Sequence, residues 1–317
     1  MRLPRSLVRA AAWIRPQVPQ QLLRLLLSTE SFLSKDAPLV VLPAFERALA
    51  IAPHPDDETI GAGGTIARLA RAGAEVWIVV VTDGEATIGS PHDAPETARR
   101  RRAEVATACR RLGAQPPRFL SIPDGQVSDH LDQLATHLQH EVSAHAPQVV
   151  FTPWPLERHP DHRACTTALA QLPPRDTELW GYEAHTPIPL PDRVIDIGAD
   201  VAAKQAALAA HVTAARAFNL DACLGLARWR ALSTDAGYGA AEAFLTLPWE
   251  ELPRLTAAAA RAWQLNSPVT WLSLGASRSA RAGTIPEQIQ EPAARESRDL
   301  LLFRRWADLR NLRAMQR

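Results

Sequence analysis

Residues 48–52 read Ala-Leu-Ala-Ile-Ala and residues 76–82 read Val-Trp-Ile-Val-Val-Val-Thr, and these two runs decide the fold class. Short apolar runs of this kind are typical of strands that are buried on both faces of a parallel sheet. Between them, apolar residues from Ile60 to Ala72 recur at helical spacing, and Gly73 ends the helix. A strand, a helix and a second strand in this order predict a right-handed βαβ unit.

The same alternation continues along the chain. Further elements are predicted as a helix over 95–112, a strand over 118–122, a helix over 127–144 and a strand over 148–152. Beyond residue 172 we expect strands over 179–182 and 193–197, and a long alanine-rich helix over 199–218. The sequence therefore predicts an α/β protein with a mainly parallel sheet covered by helices on both faces, and with helical extensions at both ends.

Composition restricts the function classes. Of 317 residues, 46% are hydrophobic and 22% are charged, which is ordinary for a soluble globular protein. The formal net charge of +1 gives no reason to expect nucleic-acid binding. The three cysteines, Cys109, Cys165 and Cys223, are far apart and form no CxxC pair. We therefore expect no disulfide framework and interpret them as small apolar side chains.

The N-terminal segment is basic, because five arginines precede the first acidic residue, Glu30. Its charges interrupt the apolar stretches too often for a secretory signal or a membrane-spanning helix. One interpretation is an amphipathic helix, within residues 1–34, on an anionic membrane surface. The other, which we favour, is packing against the main domain or a second subunit. We expect a cytoplasmic protein with an extension over 1–40, a catalytic domain over 41–250 and an arginine-rich extension over 251–317.

Two clusters of acids and histidines follow predicted strands. Residues 54–58 read His-Pro-Asp-Asp-Glu and come directly after the strand that ends near Ala52. Residues 159–162 read His-Pro-Asp-His and come after the strand that ends near Thr152. Because ligands of parallel sheets bind outside the carboxyl ends of the strands, both clusters are expected to form one joint site.

The residue types in these clusters indicate a metal-dependent hydrolase. His54 and Asp57 are three residues apart and can reach one cation, for which His162 supplies a third ligand. Two histidines, one carboxylate and an open position are typical of catalytic metal sites. Nitrogen and oxygen ligands make Zn²⁺ the first choice and also suit Fe²⁺.

The remaining side chains of the clusters have complementary chemistry. Asp56 is free to act as the base that takes a proton from water and later protonates the leaving nitrogen. His159 can stabilise the oxyanion that forms when water attacks an amide carbonyl. Asp161 is predicted to orient the ring of His159, as carboxylates beside catalytic histidines do.

The glycine-rich run at residues 61–64, Gly-Ala-Gly-Gly, does not have the G-x-G-x-x-G spacing of dinucleotide-binding loops. We interpret its small residues as allowing the helix start to pack closely on the sheet or as leaving room for substrate.

These residues resemble the LmbE-like, or PIG-L, family of zinc-dependent N-deacetylases. The resemblance is carried by residues 53–61, Gly63-Gly64, residues 81–85 and residues 159–162, and it extends through Arg101, Glu104, residues 123–125, Lys204, His211 and residues 238–244. The family includes enzymes that act on N-acetylglucosaminyl-phosphatidylinositol, on sugar intermediates of mycothiol and bacillithiol, and on glycopeptide antibiotics.

The resemblance implies a Rossmann-like three-layer fold with a zinc site at the carboxyl edge of its sheet. It implies the same ligands, His54, Asp57 and His162, with Asp56 as the base and His159 on the oxyanion side. Arg101 and Asp124 match positions that could contact sugar hydroxyls. For Arg101 an internal ion pair with Glu104 or Asp83 is an equal alternative.

The function implied is hydrolysis of an N-acetyl or other N-acyl group of a GlcNAc-type amino sugar or glycoconjugate. Two alternatives stay open: hydrolysis of another amide or ester, and a non-catalytic protein that binds a metal or a glycan. The chain also departs from the family, because Glu157 stands two residues before His159, where relatives carry a helper tyrosine. This departure leaves the identity of the substrate open.

Overall fold

The computed structural model describes residues 39–87, 93–189, 191–234 and 239–266, with side chains described as far as residue 260. The chain divides after Ala259 into two compact units, and the site described below lies in the first. Of the predicted extensions, residues 1–38 and 267–317 lie outside the described residues. The predicted domain limits therefore stay a prediction.

A seven-stranded sheet forms the centre of the described chain, in the order β3-β2-β1-β4-β5-β7-β6. Its strands are β1 Arg47–Ala52, β2 Glu75–Val80, β3 Arg118–Phe119, β4 Val149–Pro153, β5 Glu178–Tyr182, β6 Arg193–Asp196 and β7 Ala241–Thr246. Strands β1 to β5 pair in parallel, and β7 runs antiparallel to both of its neighbours. The predicted α/β class with a mainly parallel sheet is confirmed.

Helices cover both faces of this sheet. They are α1 Asp57–Arg71, α2 Ala94–Leu112, α3 Leu131–His145, α4 Pro160–Leu169, α5 Val201–Leu208, α6 Val212–Ala217, α7 Asp221–Leu232 and α8 Leu252–Asn266. Alternate residues of β1 face opposite sides, as the pleat of a strand requires. Ala50 belongs to a buried cluster with Ile66 of α1, whereas Leu49 belongs to a second cluster with Leu134 of α3. The predicted three layers are thereby confirmed.

The long helix predicted over 199–218 is wrong. The chain forms α5 and α6 instead, with a turn between them at residues 209–211. The turn buries His211, whose Nε2 lies 3.1 Å from the hydroxyl of Thr59. This hydrogen bond to α1, which is distant in sequence, therefore interrupts a segment whose alanines favour a continuous helix.

Close packing of α1 on the sheet explains the glycine-rich run. A Cβ atom at Gly61 would overlap the ring of Tyr182, and one at Gly64 would lie 2.5 Å from Cδ1 of Ile197. The Tyr182 ring cannot retreat freely, because its hydroxyl donates to the carbonyl of Ile51 at 2.8 Å. The interpretation of close helix–sheet packing is confirmed.

The sheet order also places the crevice where a ligand can bind. Strand β1 lies between β2 and β4. The chain passes from β1 to β2 on one side, and it later returns to form β4 on the other side of β1. Such a reversal opens a crevice between the two connecting loops. Among the described helices, none has the length and apolar character needed to cross a lipid bilayer.

Candidate active site

Three side chains at the carboxyl edge of β1 and β4 form a nearly equilateral triangle of ligand atoms. Nδ1 of His54 lies 3.2 Å from Oδ2 of Asp57 and 3.2 Å from Nε2 of His162. Nε2 of His162 lies 3.2 Å from the same Asp57 oxygen. Zinc bonds of about 2.0–2.1 Å in a tetrahedron separate neighbouring ligand atoms by about 3.3–3.4 Å. The structure therefore brings the three predicted ligands together at separations that fit one divalent cation.

Burial and charge agree with this fit. Asp57 and His162 are fully buried, and Oδ1 of Asp57 has no hydrogen-bond partner among the described residues. Burial alone would raise the pKa of Asp57, but His162 and His54 outweigh it and hold that pKa well below its usual value. A buried carboxylate that stays charged between two imidazoles is a suitable ligand for a cation.

The other nitrogen of His54 is held by two carboxylates. Nε2 lies 3.2 Å from Oδ1 of Asp124 and 3.3 Å from Oδ2 of Asp161. These contacts fix the ring so that Nδ1 points to the triangle. Asp124, predicted to contact a sugar hydroxyl, is thus a partner of His54, a predicted metal ligand, and its side chain is only 8% exposed.

The predicted role of Asp161 requires a correction. Its carboxylate does not orient His159 but contacts His54 and accepts the backbone N–H of Gly125 at 2.8 Å. His159 instead precedes the first residue of α4, and its Nδ1 accepts the backbone N–H of Asp161 at 3.3 Å. The difference arises because His159 caps the helix with its own ring. With Nδ1 as acceptor, Nε2 carries the ring proton.

His159 is neutral in this arrangement. Burial, assisted by the neighbouring His54 and His162, lowers its pKa to about 4. A neutral ring with its proton on Nε2 can donate a hydrogen bond without bringing a second positive charge next to the cation site.

Asp56 lies beside the triangle in a buried ion pair. Its side chain is 3% exposed, and Nη2 of Arg101 donates to its Oδ2 at 3.2 Å. Burial raises the pKa of Asp56 to about 8, although the Arg101 guanidinium lowers it. The carboxyl group can therefore change its protonation state near neutral pH, as a general base must.

Arg101 has a different partner from those predicted. Glu104 accepts from the backbone N–H of Thr213 at 3.0 Å, and Asp83 accepts from Arg102 at 2.8 Å. The internal ion pair of Arg101 is formed with Asp56 instead, and the arginine side chain is only 1% exposed. The structure thus places Arg101 beneath the predicted base and not at the mouth of the site, where a sugar hydroxyl would bind.

Comparisons with known proteins agree with this geometry. The sequence profile of PIG-L, described as GlcNAc-PI de-N-acetylase, matches residues 49–172, which include both clusters. The solved N,N'-diacetylchitobiose deacetylase of Pyrococcus horikoshii superposes with a TM-score of 0.55 at 26% identity, over 65% of this chain and 85% of that chain. Residues 49–172 therefore match the PIG-L family.

Two curated relatives are named for their activities. The diacetylchitobiose deacetylase of Thermococcus kodakarensis is 33% identical over 37% of this chain and 45% of its own length. A 1D-myo-inositol 2-acetamido-2-deoxy-alpha-D-glucopyranoside deacetylase of Kineococcus radiotolerans is 45% identical over 25% of this chain and 23% of its own length. The chain thus matches less than half the length of these two relatives.

Two residues of the candidate site are not indicated by the motifs. Glu157, at the position of the helper tyrosine, is fully buried, and its Oε2 lies 3.7 Å from Nδ1 of His162. His185 follows β5, and a ligand-type atom of its ring lies within 4.8 Å of those of Asp57 and His162. The sequence signal that could have found His185 is its position just after a strand of the parallel sheet.

Proposed function

We propose that the chain is a divalent-metal-dependent hydrolase that removes an N-acyl group, first of all N-acetyl, from a GlcNAc-type amino sugar. The observation that carries the proposal is the 3.2 Å triangle of His54, Asp57 and His162 with the ion-paired Asp56 beside it. The names of the two curated relatives support the amino-sugar substrate, because both describe deacetylases of N-acetylated sugars.

His54, Asp57 and His162 would hold the cation, and the nitrogen and oxygen ligands favour Zn²⁺. A divalent ion supplies, when bound, a Lewis acid that polarises the amide carbonyl and makes water more acidic. His54 keeps its ligating nitrogen aimed at the triangle because Asp124 and Asp161 hold its other nitrogen.

Asp56 moves the proton. As water attacks the amide carbon, a C–O bond forms and one water proton passes to the Asp56 carboxylate. The C–N bond then breaks, and Asp56 returns the proton to the leaving nitrogen. The products are a carboxylic acid, acetic acid for an N-acetyl substrate, and the free amine of the sugar; the acid then ionises, and the amine takes up that proton.

His159 stabilises the charge that develops on the carbonyl oxygen. Its Nδ1 accepts from the backbone of Asp161, so the Nε2–H is available to the oxyanion. A donor that is oriented before the reaction contributes more to the transition state than to the ground state.

The proposal is tested by incubating zinc-loaded protein with N-acetylglucosamine, diacetylchitobiose and larger N-acetylated glycosides. We expect acetate and primary amine to appear in equal amounts, to stop after chelation and to resume when zinc is restored. If zinc-loaded protein releases no acetate from any of them, or if release continues without metal, the proposal is wrong.

A further inference from the structure

His185 lies at the exposed side of the triangle formed by His54, Asp57 and His162. Its ring centroid lies 5.1 Å from that of His162 and 6.4 Å from that of His159. It also meets the ring of Phe218 edge to face, with centroids 6.0 Å apart at 85°. His185 is exposed and Phe218 is 37% exposed, so the two rings form an aromatic wall that faces solvent beside the triangle.

A buried carboxylate fixes the loop that carries His185. Oε1 of Glu157 accepts the backbone N–H groups of Ala184 at 2.9 Å and Thr186 at 3.0 Å. Its Oε2 accepts the N–H of His185 at 3.3 Å and lies 3.7 Å from Nδ1 of His162. One side chain thus contacts both a ligand-type histidine and the loop at the mouth of the site.

We propose that His185 is a substrate-contacting residue and that Glu157 is its positioning residue. Given the proposed function, on which this inference rests, the part of the substrate that His185 contacts is a second sugar ring, beyond the N-acylated one. The faces of pyranose rings are lined by C–H groups, which pack against aromatic rings, and a ring nitrogen of His185 can bond a hydroxyl.

The geometry favours this role over that of a fourth metal ligand. A ligand-type atom of His185 lies within 4.8 Å of those of Asp57 and His162, so the ring lines the same site. His185 is also solvent-exposed, while His162 and Asp57 are fully buried. An exposed ring beside the triangle can contact a substrate that enters from solvent.

The test measures binding without turnover. Zinc-loaded Asp56→Asn protein is titrated calorimetrically with N-acetylglucosamine and with diacetylchitobiose, and zinc affinity is measured separately by chelator competition. Adding His185→Ala should weaken diacetylchitobiose binding about tenfold, as loss of one hydrogen bond and one ring contact implies. Binding of the monosaccharide and of zinc should change less than threefold. His140→Ala, which removes an exposed histidine of α3, is the matched control.

Glu157→Gln tests the positioning role. It should weaken diacetylchitobiose binding in the Asp56→Asn background, but add little when His185 is already alanine, because both changes act through one contact. Equal effects of Glu157→Gln with and without His185 would overturn that role.

The remaining outcomes separate the two proposals. Unchanged disaccharide binding in the His185→Ala variant would overturn the substrate contact, and so would a tenfold loss of zinc affinity, which would make His185 a metal ligand. If the Asp56→Asn protein with His185 intact binds neither sugar, the proposed function fails, and the inference fails with it.

Discussion

At the residue scale, Asp56 has a backbone conformation that non-glycine residues rarely adopt, with φ 154° and ψ −22°. Such strain persists where surrounding contacts enforce it, and it concentrates at functional sites. Here Nη2 of Arg101 bonds both the Asp56 carboxylate at 3.2 Å and the Pro55 carbonyl at 2.9 Å. Gly84 makes room for this contact, because a Cβ atom there would overlap the guanidinium group.

Arg101→Lys should therefore lower kcat about 100-fold with zinc content unchanged, because an ammonium group cannot hold two acceptors in one plane as the guanidinium does. The measurement is acetate release at saturating substrate together with metal analysis. Arg102→Lys is the matched control, since Arg102 pairs with Asp83 at the surface. A kcat within twofold of wild type for Arg101→Lys would contradict the positioning of Asp56 by Arg101.

The sequence predicts the site residues that lie within the two motifs, but not the contacts that these residues make with other loops. His54, Asp56, Asp57 and His162 were predictable, because both motifs follow neighbouring strands and must meet at one edge. The partners of Arg101 and Asp161 were not, because they depend on loop paths and rotamers that spacing does not encode.

At the element scale, the fit of α1 on the sheet depends on glycine. Gly61→Ala should lower the free energy of unfolding by about 1–3 kcal/mol, because the added methyl group overpacks against Tyr182. Gly225→Ala in α7 is the control: nothing lies within 4 Å of its added Cβ, and it should stabilise by about 0.5–1 kcal/mol. Urea unfolding measures both variants. A Gly61→Ala variant as stable as the wild type would show that the packing there is loose.

The elements that the sequence predicts are those with strong periodicity. β1, β2, β4 and β5 were found within one or two residues, because each is a short apolar run. Strand β7 was not predicted, since the buried Glu242 interrupts its apolar pattern and its partner Lys204 lies on a distant helix.

At the scale of the whole molecule, that buried ion pair joins three elements. Nζ of Lys204 on α5 lies 2.5 Å from Glu242 on β7 and donates to the carbonyl of Ile60 on α1 at 2.7 Å. Glu242 in turn accepts the backbone N–H groups of Gly64 and Thr65 at 2.8 Å. The ammonium group of Lys204 and the carboxylate of Glu242 thus have hydrogen-bond partners although both side chains are buried.

Lys204→Met should destabilise the protein by about 3–5 kcal/mol, because it leaves the Glu242 charge buried without its cation. Arg99→Met, which breaks the exposed pair with Glu96, should leave the denaturation midpoint nearly unchanged. Equilibrium denaturation compares the two variants. If both lose the same stability, the ion pair does not hold the three elements together.

Metal removal should also act on the whole molecule, because the proposed ligands join the loops after β1 and β4. At zinc 100-fold above its Kd, binding stabilises by about 2.7 kcal/mol, which corresponds to roughly 5–10 °C in Tm. Chelation should lower the Tm of the wild type by that amount and leave the His54→Ala, His162→Ala variant unchanged. Equal shifts in both proteins would place the stabilising metal elsewhere.

The central claim is that His54, Asp57 and His162 hold the metal while Asp56 moves the proton. The most direct measurement combines zinc content and acetate release for purified Asp56→Asn protein, which retains the three ligands but loses the base. We predict about one equivalent of zinc, as in the wild type, and a rate about 10²–10⁴-fold lower. Acetate release at the wild-type rate, or loss of the zinc, would contradict this division of roles.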